Sequence, residues 1–151
     1  MTVSLQENDF DIATEIDALS SGDTGIGAVV TFTGLVRDMV DDERIIDMTL
    51  EHYPAMARTE LERIEAEANK RWPLNGTRII HRFGTLIPGD RIVLVVTASS
   101  HRQAAFEAAE FIMDFLKTRA PFWKKEKLEQ GDSGWVEAKD KDDAALERWK
   151  R

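Results

Sequence analysis

Residues 99–127 read SSHRQAAFEAAEFIMDFLKTRAPFWKKEK and combine the start of a helix, its end and the strand that follows. Ser100 and Gln103 have the spacing of a capping box, in which two side chains satisfy free amides of the first helical turn. Pro121 restricts the residue before it to extended geometry, so the helix is expected to end near Arg119. The stretch therefore predicts one long helix followed by a sharp change of direction.

The positive charge of the chain is concentrated at the end of this stretch. Of the six charged residues between positions 115 and 127, only Glu126 is acidic. The cations are Lys117, Arg119, Lys124, Lys125 and Lys127. The other 15 cations of the chain face 27 acids, so the remainder carries −12 within a total of −8. A local basic site in an acidic protein indicates an anionic partner or substrate.

Helical spacing places Lys117 in an apolar stripe. Phe106, Met113 and Lys117 share one face, because 7 and 11 residues are close to two and three helical turns. If Phe106 and Met113 face the core, the Lys117 stem packs and its amine enters a pocket. Desolvation and the neighbouring Arg119 and Lys124 would then favour the neutral amine that acid-base or nucleophilic chemistry requires. The alternative is a lysine at a helix end whose amine simply reaches water.

The first turn of the same helix contains His101 and Arg102. Cations there oppose the helix dipole, whereas the free amides of that end attract anions. The pair therefore indicates a bound anion, and the alternative is that both side chains point into water.

The rest of the chain alternates predicted strands and helices. Strands are expected at Gly27–Arg37, with a bulge at Gly34, and at Ile45–Tyr53, and these two could form a long hairpin. A helix follows Pro54, with its apolar stripe at Ala57, Leu61, Ile64, Ala68 and Trp72, and Pro73 ends it. Further strands are expected at Arg78–Phe83, Arg91–Ala98 and Trp123–Leu128, with a hairpin return at Trp135–Ala138 through QGDSG and a last helix at Asp140–Trp149.

Composition excludes several functions. The 151 residues are 42% hydrophobic and 32% charged, which is typical of one globular domain. There is no cysteine, so disulfides, thiolate metal sites and a persulfide on this chain are excluded. His52, His81 and His101 lack ligand spacing, and a pI of about 4.9 argues against nucleic-acid binding. The longest apolar run, Ile92–Val96, is too short for a membrane span and no secretory signal is visible, so a cytoplasmic location is expected.

Five motifs occur in a specific order along the chain. They are TFTGLVR at 31–37, LEHYPAM at 50–56, RWP at 71–73, the stretch at 99–126 that contains LKTRAPFWK, and WVEA at 135–138. Together they closely resemble the large, catalytic subunit of molybdopterin synthase, the MoaE type. The resemblance runs from about Gly27 to Trp149, and the first 25 or so residues contribute no recognised feature.

The resemblance implies conversion of precursor Z, a cyclic pyranopterin monophosphate, into molybdopterin by the addition of two sulfurs. A small ubiquitin-like subunit would supply sulfur from a C-terminal Gly-Gly thiocarboxylate, and a homodimer of the large subunit would form the centre of a heterotetramer. No cofactor, metal, nucleic acid or membrane is implied. The implied fold is a single α+β domain over residues 1–151, similar to an α/β hammerhead with a mainly antiparallel sheet and an additional β subdomain.

The resemblance also implies roles for particular residues. Lys117 would lie closest to the acyl transfer, and Lys124 would bind substrate and act as an acid or base. Arg37, His101 and Arg102 match anion-binding positions for the pterin phosphate. Phe32 and Met113 would shape the pocket. Lys139 stands where relatives often carry arginine and would reach the neighbouring subunit's site, without the bidentate geometry of arginine.

Two other functions are compatible with the residues themselves. A noncatalytic module could use the basic site to capture an acidic or carboxylate-ended peptide. A phosphate-ester enzyme could use Arg37 and Lys117 with His101 as general acid.

Overall fold

The computed structural model describes residues 2–118, 120–129, 131–136 and 140–150, and of residues 131–136 and 140–143 it describes the backbone alone. The strands are β1 (Val3–Gln6), β2 (Ala28–Leu35), β3 (Met39–Val40), β4 (Glu43–His52), β5 (Leu74–Arg82), β6 (Gly84–Leu86), β7 (Arg91–Ser99), β8 (Phe122–Leu128) and β9 (Gly131–Val136). The helices are α1 (Ile12–Ser20), α2 (Pro54–Arg71), α3 (Arg102–Thr118) and α4 (Asp140–Glu147), followed by a 3-10 turn at Arg148–Lys150. The predicted α+β class is confirmed.

The first sheet has the strand order β1-β5-β7-β2, with β1 parallel to β5 and the other neighbours antiparallel. Helices α2 and α3 cover one face of this sheet with a shared apolar core. That core contains Leu61 and Ile64 of α2, Phe111 and Ile112 of α3, and Val95 of β7. The other face carries a smaller cluster around Phe10, Ile80, Leu94 and Val96, against which α1 packs. Apolar residues on both faces explain why β7 is buried along nearly its whole length.

The second sheet has the order β3-β4-β8-β9, and β6 pairs with β4. All of these pairings are antiparallel. The predicted return of the chain from β8 into β9 is confirmed, although β9 begins at Gly131, inside the stretch predicted as a turn. The chain crosses from the first sheet to the second at Phe83, which separates β5 from β6.

Helix α2 begins and ends as its sequence predicts. Pro54 occupies its first turn, and the helix stops at Arg71. The predicted stripe is buried at Ala57, Leu61, Ile64 and Ala68. Trp72 follows the helix, and its indole Nε1 donates a hydrogen bond of 2.8 Å to the Glu107 carboxylate on α3.

The predicted hairpin between residues 27–37 and 45–53 is wrong. Strand β2 instead pairs with β7, and β4 pairs with β6 and β8 in the other sheet. The short strand β3 takes the position on β4 that the prediction gave to β2. The bulge at Gly34 is confirmed, since the register with β7 shifts between Gly34 and Leu35.

The predicted start of α3 is wrong in its chemistry. The Ser100 hydroxyl donates to the carbonyl of Gly25, and the Gln103 amide donates to Glu107, so the two do not form a capping box. The Ser99 hydroxyl accepts a hydrogen bond of 3.3 Å from the backbone N–H of His101, the residue that precedes the helix. Burial of Phe106 is also wrong, since that side chain is 61% exposed.

None of the helices among the described residues combines the length and apolar character needed to cross a membrane.

Candidate active site

Lys117 and Lys124 lie close to the same imidazole. Lys117 is in the last turn of α3, and Lys124 is the third residue of β8. Burial lowers the pKa of His81 to about 4, and repulsion from His52 in its protonated form and from Lys117 and Lys124 contributes. The charges of both lysines therefore act on one buried ring, with Lys124 half-buried and Lys117 exposed.

Strand β8 separates its lysines onto two faces. Lys124 is half-buried and pairs in register with the buried Leu50 of β4, whereas Lys125 pairs with Thr49 and is exposed. Glu126 lies two residues after Lys124 on the same face and is only 5% exposed. The alternation of side chains along a strand therefore directs Lys124 inward and leaves Lys125 in solvent.

Four aromatic rings form a column beside the lysines, which we call the ring column. His81 stacks on Phe122 with a centroid separation of 3.8 Å and an angle of 15°. Phe122 also stacks on His52 at 5.7 Å, and His52 contacts Phe83 at 4.4 Å. Burial lowers the pKa of His52 as well, so both imidazoles of the column favour the neutral form.

Arg37 lies at the same end of the first sheet as the lysines. Helix α3 runs antiparallel to β7, because Thr97 donates to the carbonyl of Ala105 while Met113 packs with Val93. The C-terminal end of α3 therefore lies near the end of β7 that pairs with Leu35. Arg37 follows two residues later and is exposed. In the described part of the chain, no carboxylate lies within ion-pairing distance of its guanidinium.

Phe32 and Met113 flank this region. Phe32 lies on β2, an edge strand of the first sheet, and is 39% exposed. Its ring covers Gly34, since a Cβ at Gly34 would lie 3.5 Å from the Phe32 Cε1. Met113 is 8% exposed and belongs to the core beneath α3. Burial of Met113 is confirmed, and the pocket role of both side chains stays a prediction.

His101 and Arg102 lie at the opposite end of α3. With Gly27, Ser100 and Gln103 they line an open depression in the surface. Arg102 and Lys117 are separated by about 22 Å along the helix axis at 1.5 Å per residue. The expectation that Arg37, His101 and Arg102 hold one phosphate is therefore not met within a single chain.

Two cations of the predicted site, Arg119 and Lys139, lie outside the described residues.

Sequence reasoning missed the ring column entirely. His52 and His81 belong to separate strands. Pairing of β4 with β8 sets His52 opposite Phe122, and only packing of the first sheet against the second brings His81 to the same ring. A weak local signal was available, because His81 follows Ile79 on the same buried face of β5. A histidine in an apolar stripe is more often a core residue than part of a site, so spacing alone does not reveal the column.

The arrangement can hold anions and stabilise developing negative charge. Two ammonium groups and a guanidinium lie at one end of the sheet, and a neutral apolar wall of rings stands behind the lysines. In such surroundings charge interactions are stronger than in bulk water. In the described part of the chain, no group of three or more His, Asp or Glu side chains could hold a metal ion.

Comparisons with known proteins place this geometry in a family. Residues 5–119 match the family model described as MoaE protein. A molybdopterin synthase catalytic subunit from Rhizobium meliloti is 58% identical over 152 residues, covering 100% of this chain and 97% of the relative. The solved MoaE protein from Burkholderia ambifaria has a TM-score of 0.83 at 49% identity, covering 98% of this chain and 97% of that one. The fold also matches, at 22% identity and a TM-score of 0.72 over 93% of this chain and 92% of that one, a Helicobacter pylori structure described as a complex of subunits 1 and 2 of molybdopterin-converting factor. The chain therefore belongs to the MoaE family of molybdopterin synthase catalytic subunits.

Proposed function

We propose that this chain, acting as one domain in the cytoplasm, converts precursor Z into molybdopterin with sulfur from the C-terminal thiocarboxylate of a small ubiquitin-like partner. The observation that carries the proposal is the convergence of Lys117 and Lys124 on the buried His81 ring. Precursor Z has a phosphate and the partner tail ends in a thiocarboxylate, so both bring negative charge to these cations. The absence of cysteine is consistent with sulfur that arrives on another protein.

Each sulfur addition can be written as two balanced steps. In the first, the thiocarboxylate sulfur forms a bond to a substrate carbon, and the C–O bond to the displaced oxygen breaks. Lys124 donates the proton that makes this oxygen a better leaving group. In the second, water adds to the acyl carbon, the acyl C–S bond breaks, and the partner leaves with an ordinary carboxylate. Lys117 stabilises the oxyanion that forms at the acyl carbon in this step.

We propose that the complete site contains residues from two copies of the chain. Arg102, Phe106 and Lys117 are all exposed and lie within about 60° of one another around α3, and the 61% exposure of Phe106 leaves an apolar surface between the two cations. A two-fold axis that packs this face against its equivalent would make the helices antiparallel. His101 and Arg102 of one copy would then approach Lys117 of the other. Lys139 is the further residue expected to cross between copies.

A reconstitution experiment tests the reaction. Large subunit, thiocarboxylated small subunit and precursor Z are mixed, and dithiolene product is measured. Lys117→Ala is expected to abolish product while binding of the small subunit persists. Lys125→Ala is the control, because it also removes one lysine charge but from the exposed face of β8, away from His81. Near-normal product from Lys117→Ala would refute the catalytic assignment, and binding without any product from the wild type would favour a noncatalytic module.

A complementation experiment tests the two-copy site. Lys117→Ala and Arg102→Ala proteins are each expected to be inactive alone. After subunits exchange at a 1:1 ratio, half of the dimers are mixed, and each mixed dimer has one site with both residues intact. Activity should therefore return to about a quarter of the wild-type value. No recovery, with exchange verified by native mass spectrometry, would show that Lys117 and Arg102 do not serve one site across copies.

A further inference from the structure

The ring column connects the two sheets where they meet. His81 belongs to β5 of the first sheet, whereas His52 and Phe122 belong to β4 and β8 of the second. Phe83 follows β5 directly, at the point where the chain crosses between the sheets. Ring separations of 3.8, 5.7 and 4.4 Å give continuous contact along the column. The relative position of the two sheets at this end therefore depends on these rings.

The column also holds the chain turn that separates the two lysines. The chain leaves Lys117 at the end of α3 and enters β8 at Phe122, whose N–H donates to the carbonyl of Ala120 at 2.8 Å. Lys124 follows Phe122 by two residues on the same face of the strand. The position of the Phe122 ring thus determines where the turn ends and where the Lys124 stem begins.

His81 is the fixed end of the column. The ring is 8% exposed, and its Nδ1 lies 2.8 Å from the carbonyl oxygen of Arg82. A neutral ring donates its proton to this carbonyl, so the hydrogen bond sets both the tautomer and the orientation of the ring. The neutral ring also places no third positive charge beside the lysines.

We propose that His81 is a positioning residue, whose stacking on Phe122 fixes the turn between Lys117 and Lys124 and keeps the Lys124 amine directed into the site. This role rests on the proposed function, since a fixed separation of the amines matters only if both serve one reaction. His81 acts through Phe122 and does not itself take part in the bond changes.

Amine labelling tests the positioning without any substrate. The dimeric large subunit is treated with an acylating reagent, and the labelling rates of Lys124 and Lys125 are compared by peptide mass spectrometry. Lys125 is the internal reference, because it neighbours Lys124 on β8 but is exposed. Lys124 should react several-fold more slowly in the wild type. In His81→Leu, which keeps an apolar side chain but removes the ring, the two rates should become similar.

Two further variants separate positioning from general destabilisation. His81→Phe keeps a ring to stack on Phe122 and should retain slow labelling of Lys124. Ile79→Ala removes a fully buried side chain from the same strand outside the column, so it should lower stability without changing the ratio of the two rates. The proposal would be overturned if the Lys124-to-Lys125 ratio of labelling rates stayed unchanged in His81→Leu. It would also be overturned if this ratio rose as much in Ile79→Ala as in His81→Leu.

The same variants in the reconstituted reaction provide the functional result. His81→Leu should lower kcat with little change in KM, and His81→Phe should restore most of it. If a His81→Leu protein labels rapidly at Lys124 but keeps a normal kcat, the position of the Lys124 amine does not matter for the reaction, and this part of the proposal is overturned. If wild-type protein transfers no sulfur at all, the proposed function fails, and the labelling experiment still decides whether the ring column holds Lys124.

Discussion

The buried His81 should make the stability of this protein sensitive to mild acid. Its pKa is lowered from 6.5 to about 4, first by burial and then by His52, Lys117 and Lys124. In the unfolded chain the ring takes up a proton near pH 6.5, whereas in the folded protein it remains neutral until the pH approaches 4. The folded state is therefore fully favoured by the neutral ring above pH 6.5. This contribution is lost progressively as the pH falls from 6.5 towards 4, a range in which only the unfolded chain binds the proton.

The expected magnitude follows from the two pKa values. Between pH 7 and pH 5 the linkage relation predicts a loss of about 2 kcal/mol of unfolding free energy from this one residue. His81→Phe removes the titrating group and should lose about 2 kcal/mol less than the wild type over the same interval. Other groups with lowered pKa values, such as His52, Asp11 and Glu107, are common to both proteins and cancel in the comparison.

Urea unfolding followed by circular dichroism at pH 7 and pH 5 measures the effect. Protomer concentration must be equal in all experiments, because association contributes to apparent stability. His101→Gln is the control, since it removes an exposed imidazole distant from the ring column. If wild type and His81→Phe lose stability in parallel between the two pH values, His81 is not buried in the neutral form and the reasoning is refuted.

Three further changes test other parts of the structure. Arg37→Ala should raise KM for precursor Z at low salt, and the difference from wild type should shrink as ionic strength screens the pairing; a difference independent of salt would contradict the charge role. Gly27→Ala should destabilise the protein by about 1–3 kcal/mol and weaken substrate binding, because the added Cβ would lie 2.3 Å from the backbone oxygen of Ser100. A melting temperature and a KM equal to those of the wild type would show that this close contact is not needed. Leu61→Ala should cost about 2–5 kcal/mol of unfolding free energy, since Leu61 is fully buried. Met56→Ala on the same helix should cost less than about 1 kcal/mol, because Met56 is 58% exposed. Equal losses in the two variants would contradict the assigned core.

Local patterns predicted the elements whose signals lie within one segment. The α2 stripe from Ala57 to Ala68 is buried as expected, because helical periodicity alone brings those side chains to one face. The bulge at Gly34 and the strands at Arg78–Phe83 and Arg91–Ala98 were also predicted from nearby residues, and the two strands correspond to β5 and β7. The N-terminal β1 and α1 were not predicted, since their short segments carry weak patterns.

Other features depend on contacts between distant segments. Strand alternation does not specify a partner, so β2 could not be assigned to β7 rather than to β4 from its own residues. The apolar stripe of α3 includes Phe106, but periodicity does not show how much of a stripe the rest of the chain covers. The predicted capping box likewise relied on Ser100, whose hydroxyl instead donates to the carbonyl of Gly25, a residue distant in the sequence.

The catalytic region shows the same division. The resemblance carried by the string LKTRAPFWK predicted Lys117 and Lys124 as site residues, and both charges act on His81 in the structure. The concentration of positive charge also predicted an anionic partner, and this stays a prediction. Only the packed molecule revealed that His81 and His52 stack on Phe122 while Phe83 contacts His52, and that His101 and Arg102 lie at the far end of α3. Strand pairing within the second sheet and packing of the first sheet against it create the first arrangement, and the length of a rigid helix imposes the second. Neither is encoded in the spacing of neighbouring residues.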